Sequence, residues 1–487
     1  MAAEEPIDLL DSSDAGPAAI RGGTIRVAGY GVGVAITAIS AALLFRHLGV
    51  NDSGRYVTVL ALVSIVAGLT DAGLTGVGMR ELVVRKPSER ESLLRNLIGM
   101  RIVLGVVGLT GAVLFAALVG YSSAMVVGTA LAGVGTVLQT FQTTLAVGLM
   151  VDLRLGWVTA LELVRQVVTV VGTVVLVLVG ASLVPFLALL IPAALVSVGM
   201  TVWLVRGGMP MRPSFDWREW RVLIRDVLPF AAVVLVSLVY FRVALIVLSL
   251  VSSPKETGYF GASFRVTEVL MAIPQLAVAS AFPIFVRAAQ GNPERLAYGV
   301  GRMFHANTVL GVGFALILVL GAPFVIDVIA GPDFAPSAGV MRIQAVTLLV
   351  VFLVVTFNYA LLSLRQHRTL LLITGGALAI NAAGAALLGA SHGARGAALA
   401  TMTADVIGLA ATGWALLRIG LPVGQWLKTL PRVALAVAPA GALWFTPLPD
   451  VVKAVIGAVV YGAMLLALRA VPEELLVEVK QLRRSIT

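Results

Sequence analysis

Long apolar runs recur along this chain from near residue 22 to near residue 471, and that recurrence restricts its possible folds more than any other feature. A bilayer core of about 30 Å takes about 20 apolar residues per helix. In lipid, only helices and closed barrels satisfy their own backbone. Barrel strands alternate over roughly 10 residues. Runs such as VVTVVGTVVLVLVG, Val167–Gly180, are too continuous for that. Composition points the same way, with 59% hydrophobic and 12% charged residues against about 25% charged in soluble proteins. The pattern predicts an all-α polytopic membrane protein.

Fourteen transmembrane helices are predicted, near 22–45, 56–79, 96–119, 123–150, 157–180, 182–205, 226–251, 258–286, 299–322, 337–364, 368–390, 394–417, 430–448 and 451–471. Loop charge gives their orientation. One set of loops, with both termini, holds 25 of the 35 Lys and Arg; the opposite set holds six. Basic loops stay cytoplasmic, so both termini are expected there and the formal charge of +10 reads as topology. Trp157, Trp203, Trp217, Trp220, Trp414 and Trp426 fall near the same interface, where amphipathic rings anchor. The chain has no cysteine, which removes disulfide, thiol and Cys-metal chemistry.

Residues 1–21, with Glu4, Glu5, Asp8, Asp11 and Asp14, are expected to be a disordered acidic cytoplasmic tail. Residues 22–205 form an N-lobe of six spans, and 226–418 a C-lobe of six. Between them, 206–225 reads as an amphipathic helix lying in the interface, with Trp217 and Trp220 among Arg218, Arg221 and Arg225. Residues 419–471 supply a C-terminal helix pair, and 472–487 a cytoplasmic tail. Similar polar turns follow spans one and seven: FRHLGVNDSGRY, with its turn at Asn51–Gly54, and SSPKETGYFGASFR. A parallel duplication of six helices, two pseudo-twofold-related lobes, explains the repeat; this is a transporter architecture with the substrate path between halves.

RHLGVNDSGRY, Arg46–Tyr56, resembles the R-x-L-G-x-x-x-x-G-x-Y turn of the bacterial polysaccharide flippases, members of the multidrug/oligosaccharidyl-lipid/polysaccharide (MATE-like) superfamily. TGYFGASFRVTEVLMAIP resembles the start of that family's span eight, with Gly258, Tyr259, Arg265, Glu268 and Pro274 in place. AGPDFAPSAGVMRI, Ala330–Ile343, resembles its segment before span ten, and GARGAALAT, Gly393–Thr401, its opening of span twelve. One departure stands out. Where the family often has an acid two positions after Arg242, this chain has Ala244, so no coupling role transfers to that position.

Intramembrane ionisable side chains cost about 2.5–3.5 kcal/mol each and therefore face an interior or a cavity. Arg26, Arg242 and Arg265 fall on spans one, seven and eight. In the two-lobe arrangement they line a central cleft. The resemblance implies a lipid-linked sugar diphosphate as substrate, and a guanidinium fork suits phosphate oxygens. Two further readings stay open: Arg26 snorkels at its helix end, and Arg265 pairs with Glu268 one turn on. Gln139 and Asn358, with Gln142 and Asn381, are candidates to hydrogen-bond sugars or to join helices. Asp71 and Asp405 lack an obvious local partner and, with Glu268, are candidate coupling carboxylates. Glu162 and Arg165 are expected to neutralise each other, and Arg101 to snorkel.

The leading expectation is a flippase, not an enzyme, that translocates a polyprenyl-diphosphate oligosaccharide across the bacterial cytoplasmic membrane by alternating access. The expected partners are membrane lipid, the lipid-linked glycan, a coupling ion (proton or sodium) or the membrane potential, and a polysaccharide polymerase or glycosyltransferase. No cofactor, metal or nucleic acid is expected. A multidrug antiporter of the same superfamily would prefer an acidic cleft; a lipid II flippase is separated poorly from the leading reading. A membrane glycosyltransferase or polymerase needs external acidic residues, and the short external loops carry no D-x-D or E-x-D. The chain has no Gly-Lys dipeptide, hence no P-loop. A scaffold that positions partner enzymes is the remaining class, and it would keep its function when the cleft arginines are removed.

Overall fold

Backbone groups in lipid must be paired within the protein, and the described residues do this with helices. A computed structural model describes residues 15–71, 73–85, 87–152, 154–206 and 212–470, and contains no strand among them. Most of the predicted acidic tail, the first part of the predicted linker (207–211) and the C-terminal tail lie outside the described residues. The chain divides into two compact units, Met1–Leu238 and Val239–Thr487. Unit 1 holds α1 (Ala15–Asp71), α2 (Leu74–Val84), α3 (Pro87–Leu118), α4 (Ser123–Val151), α5 (Leu155–Leu178), α6 (Leu183–Ala188) and α7 (Leu190–Val205), and α8 (Trp217–Val251) begins in it. Unit 2 takes the rest of α8, then α9 (Pro254–Ala289), α10 (Pro293–Ala330), α11 (Ser337–Ser363), α12 (His367–Arg418), α13 (Val423–Trp426), α14 (Leu430–Gly441) and α15 (Asp450–Ala467).

Among the described residues, eleven helices are long and apolar enough to cross a membrane. Two of them are composite. α1 breaks at Gly49 (φ 67, ψ −178) and α12 at Gly393 (φ 56, ψ −136). With α14 and its flanking 3-10 turns as a further short span, the architecture is compatible with fourteen. Two sequence expectations need correction. The first turn is at Gly49, the glycine able to take positive φ, rather than at Asn51–Gly54. Those residues begin the next helical segment, with Ser53 buried and Arg55 donating to Asp52 at 2.8 Å. The predicted span 56–79 is also interrupted, since α1 stops at Asp71 and Gly73 (φ 85) precedes α2.

The amphipathic segment before span seven is not a separate helix lying flat. From Trp217 it is the N-terminal part of α8, and at 1.5 Å per residue a helix of 35 residues exceeds a hydrocarbon core. Its inner face is fixed to α3 and its neighbours. Trp220 and Leu223 are buried with Leu93, Leu94, Leu97 and Met100. Asn96 accepts from the Asp216 backbone N–H (3.0 Å) and the Trp220 indole (3.2 Å) and donates to Glu219 (2.5 Å). Glu219 also accepts from Arg85 at 2.5 Å. A Cβ at Gly99 would come within 2.1 Å of the Ser214 carbonyl oxygen, so glycine permits the close approach. Two of the six expected tryptophan anchors therefore serve packing instead, because Trp220 and Trp426 are both buried.

Each unit ties its first turn to a later one. In unit 1, His47 Nε2 donates to the Ala181 carbonyl at 2.8 Å. In unit 2, Glu256 accepts from the Ala394 N–H at 2.8 Å, just after the Gly393 break. The C-terminal helices pack on α10: Val433, Ala436, Tyr461 and Leu465 are buried with Val309, Leu316 and Leu320, and the Tyr461 hydroxyl donates to the Val309 carbonyl at 2.9 Å. Large apolar side chains such as Leu118, Leu178 and Leu387 point outward, as lipid-facing positions should.

Candidate functional site

Charged side chains inside apolar helices must find partners, and unit 2 gathers its own around α8 and α9. Arg242 on α8 donates to Glu268 on α9 at 2.5 Å, and Arg265, one turn before Glu268, donates to its other oxygen at 3.1 Å. The Phe264 ring lies 5.8 Å from the Arg242 guanidinium carbon, within cation–π range. Two guanidiniums share one carboxylate, so the cluster carries one net positive charge. Each guanidinium has five N–H donors, and each spends few of them on Glu268. The Arg265 side chain is 41% exposed and that of Arg242 25%, which leaves donors open to an acceptor-rich ligand.

Two residues before Arg242, α8 makes a second polar contact from another face. The Tyr240 hydroxyl donates to Asp405 of α12 at 2.5 Å, and Asp405 is buried. One turn earlier on α12, Thr401 donates to Asn381 at 3.1 Å across the Gly393 break. The Asn381 amide nitrogen is buried and finds no partner among the described residues. Asp405 thus has a phenol partner that sequence spacing could not show, 165 positions away.

In unit 1 the expectation for Arg101 fails. It does not snorkel; it is 2% exposed. Its guanidinium donates to Asp71 and Thr75 at 2.5 Å each, to Thr144 at 2.9 Å, to Thr143 at 3.2 Å and to the Thr140 carbonyl at 3.4 Å. Asp71 therefore has a partner 30 positions on, and Thr75 also donates to it. The threonine-rich stretch LQTFQTTLAV, Leu138–Val147, was the available signal. Two hydroxyls, Thr143 and Thr144, and the Thr140 carbonyl, within five residues of one apolar helix, give the buried guanidinium its acceptors.

The other predicted residues divide. Glu162 and Arg165 pair on α5, and Gln166 joins Glu162 at 3.0 Å. Gln139 donates to Gln142 at 3.0 Å and Gln142 to Thr201 at 2.9 Å, which joins α4 to α7. Asn358 is half-buried on α11, and its amide oxygen has no partner among the described residues. Arg26 is on α1, and its side chain lies outside the described residues. The structure thus brings Arg242, Arg265 and Glu268 together, while Gln139, Asn358, Asp71 and Asp405 each sit in separate settings.

Residues 43–339 match the polysaccharide biosynthesis protein family. No curated protein matches the chain in sequence. Among solved structures, the lipid II flippase MurJ in an inward closed conformation aligns with a TM-score of 0.73 and 12% identity, over 91% of this chain and 98% of that one. An inward-facing multidrug-resistance MATE transporter of the MOP superfamily aligns at 0.63 and 13%, over 83% and 99%. A MOP-superfamily transporter from Pyrococcus furiosus, whose binding pocket is described as reversed in polarity, aligns at 0.56 and 16%, over 82% and 95%. At these identities the structural likeness shows the fold alone, and the family match covers more than half of the sequence. The chain belongs to the polysaccharide biosynthesis protein family and is a multi-pass membrane protein with the fold of the MATE-like, MOP-superfamily transporters.

Proposed function

We propose that this protein is a flippase that carries a polyprenyl-diphosphate-linked oligosaccharide across the bacterial cytoplasmic membrane by alternating access, for cell-surface polysaccharide synthesis. The observation that carries the reading is the Arg242–Glu268–Arg265 cluster: a net-positive, partly exposed group within apolar helices. A diphosphate offers several anionic oxygens to guanidinium forks, and the polyprenyl tail stays in lipid. Glu268 pairs with both arginines until phosphate oxygens compete for them. Arg26 is a third candidate for the same headgroup, and Gln139 and Asn358 for the glycan. Asp405 is the best placed coupling carboxylate, since it is buried and faces a phenol rather than a cation. Both termini are cytoplasmic in this reading, and the natural partners are a polymerase or glycosyltransferase that makes or consumes the glycan.

A multidrug cation antiporter is disfavoured by the same cluster, since it would repel a cation. A lipid II flippase has the same headgroup chemistry and the fold likeness in its favour. Reconstitution into liposomes with a fluorescent polyprenyl-diphosphate oligosaccharide tests the proposal. The wild type is expected to move it between leaflets, and Arg242→Ala/Arg265→Ala to lose at least ten-fold in rate while remaining folded. Transfer retained in the double variant would overturn the assignment of the cluster. Dye-cation uptake driven by an ion gradient, without glycolipid transfer, would favour the antiporter.

A further inference from the structure

Unit 1 contains a second cationic site, separate from the Arg242 cluster. A cavity of about 300 Å³ opens where α3 begins, α4 meets α5 and α7 ends. Arg90, Arg154 and Arg206 line it from those three places, with Asp152 as the single acid. The site is therefore net positive by two. Its remaining wall is aliphatic, including Leu82, Leu94 and Leu149. Arg90 donates its Nε to the Arg85 carbonyl at 3.2 Å, which holds that side chain at the cavity and leaves its outer nitrogens. Arg154 and Arg206 are exposed and make no ion pair among the described residues. Arg154 is also the N-cap of α5, which has no side-chain cap and no acid in its first turn. The positive end of that helix adds to the charge at the cavity.

Unit 2 carries a comparable arrangement. PSER, Pro87–Arg90, opens α3, and PER, Pro293–Arg295, opens α10. A cavity of about 210 Å³ there is lined by Arg287 and Arg295 with Asn292 and aliphatic Ile284. Two arginine-lined cavities at corresponding helix starts are hard to ascribe to solvated loop charge alone.

We infer that the Arg90–Arg154–Arg206 cavity binds the phosphate group of a membrane amphiphile, with the guanidiniums taking the phosphate oxygens and the aliphatic wall the first methylenes of its chain. The inference does not depend on transport or on the Arg242 cluster. The ligand class has two sources, a glycerophospholipid or a polyprenyl phosphate.

Native mass spectrometry of the full-length protein in neutral detergent tests this. Phosphatidylglycerol, a polyprenyl phosphate, zwitterionic phosphatidylcholine and inorganic phosphate are added separately, and 1:1 complexes are counted. Arg154→Ala/Arg206→Ala is expected to weaken the anionic amphiphile at least ten-fold. Arg218→Ala/Arg221→Ala, which removes equal charge from exposed positions outside the cavity, is expected to leave binding within two-fold. Should the first variant unfold, Arg154→Glu alone is expected to give the same selective loss. Whichever amphiphile binds more tightly identifies the source. Equal losses in both double variants, binding of inorganic phosphate only, or no 1:1 complex would each overturn the site.

Discussion

Replacing Arg101 tests whether the unit 1 network is a structural ion pair. Its side chain is 3% exposed and that of Asp71 48%. Removing one partner of a fully buried pair costs about 3–5 kcal/mol, whereas exposed pairs are worth about 0–1 kcal/mol. With one partner buried and the other half-open, Arg101→Met should destabilise by about 2–3 kcal/mol. Met fills much of the same volume, so the loss reports charge and hydrogen bonds rather than a cavity. Asp71→Asn should cost less, about 1 kcal/mol, because the amide oxygen still accepts from the guanidinium and Thr75. In Asp71→Asn/Arg101→Met no charge is stranded, so the double variant should be at least as stable as Arg101→Met alone. Unfolding in mixed micelles with increasing denaturing detergent, followed by fluorescence, gives the four values of the cycle. Additive losses would refute the pairing argument. Transport provides a second readout: Asp71→Asn should retain it, and a folded but inactive Asp71→Asn would instead make Asp71 a coupling residue.

Three other outcomes are expected. Asn96→Ala removes three hydrogen bonds between α3 and the start of α8 and strands a buried indole N–H; a loss of about 2–3 kcal/mol is expected in the same unfolding assay. Gly393→Ala forces an L-residue to φ 56 and places a Cβ 2.3 Å from Glu256; beyond the backbone cost of about 1–2 kcal/mol, it should disturb the Glu256–Ala394 tie and reduce folded yield on size-exclusion chromatography. Tyr240→Phe leaves Asp405 without its donor; a destabilisation of about 1–3 kcal/mol is expected, and unchanged stability would show that Asp405 is satisfied elsewhere.

Much of the architecture is legible in the sequence because its causes are local. An apolar run must become a helix in lipid, and its length decides whether it spans. Glycine supplies the positive φ that divides α1 and α12, although the first break falls at Gly49 rather than at the more polar Asn51–Gly54. Pairs one turn apart, Arg265–Glu268 and Glu162–Arg165, follow from helical spacing alone.

What the sequence could not show is which distant partners satisfy a buried charge. Arg242 meets Glu268 across 26 positions, Arg101 meets Asp71 across 30, and Asp405 meets Tyr240 across 165. The tertiary structure decides these, because each depends on which helix faces are neighbours and at what height along their axes they meet. The same holds for Trp220 and Trp426: hydropathy places them near an interface, but packing against other helices buries them. Residue type thus determined that this protein is a bundle of membrane helices with charged groups in need of partners. The packing of those helices decided which charges neutralise one another and which, at Arg242 and Arg265, retain an excess of one.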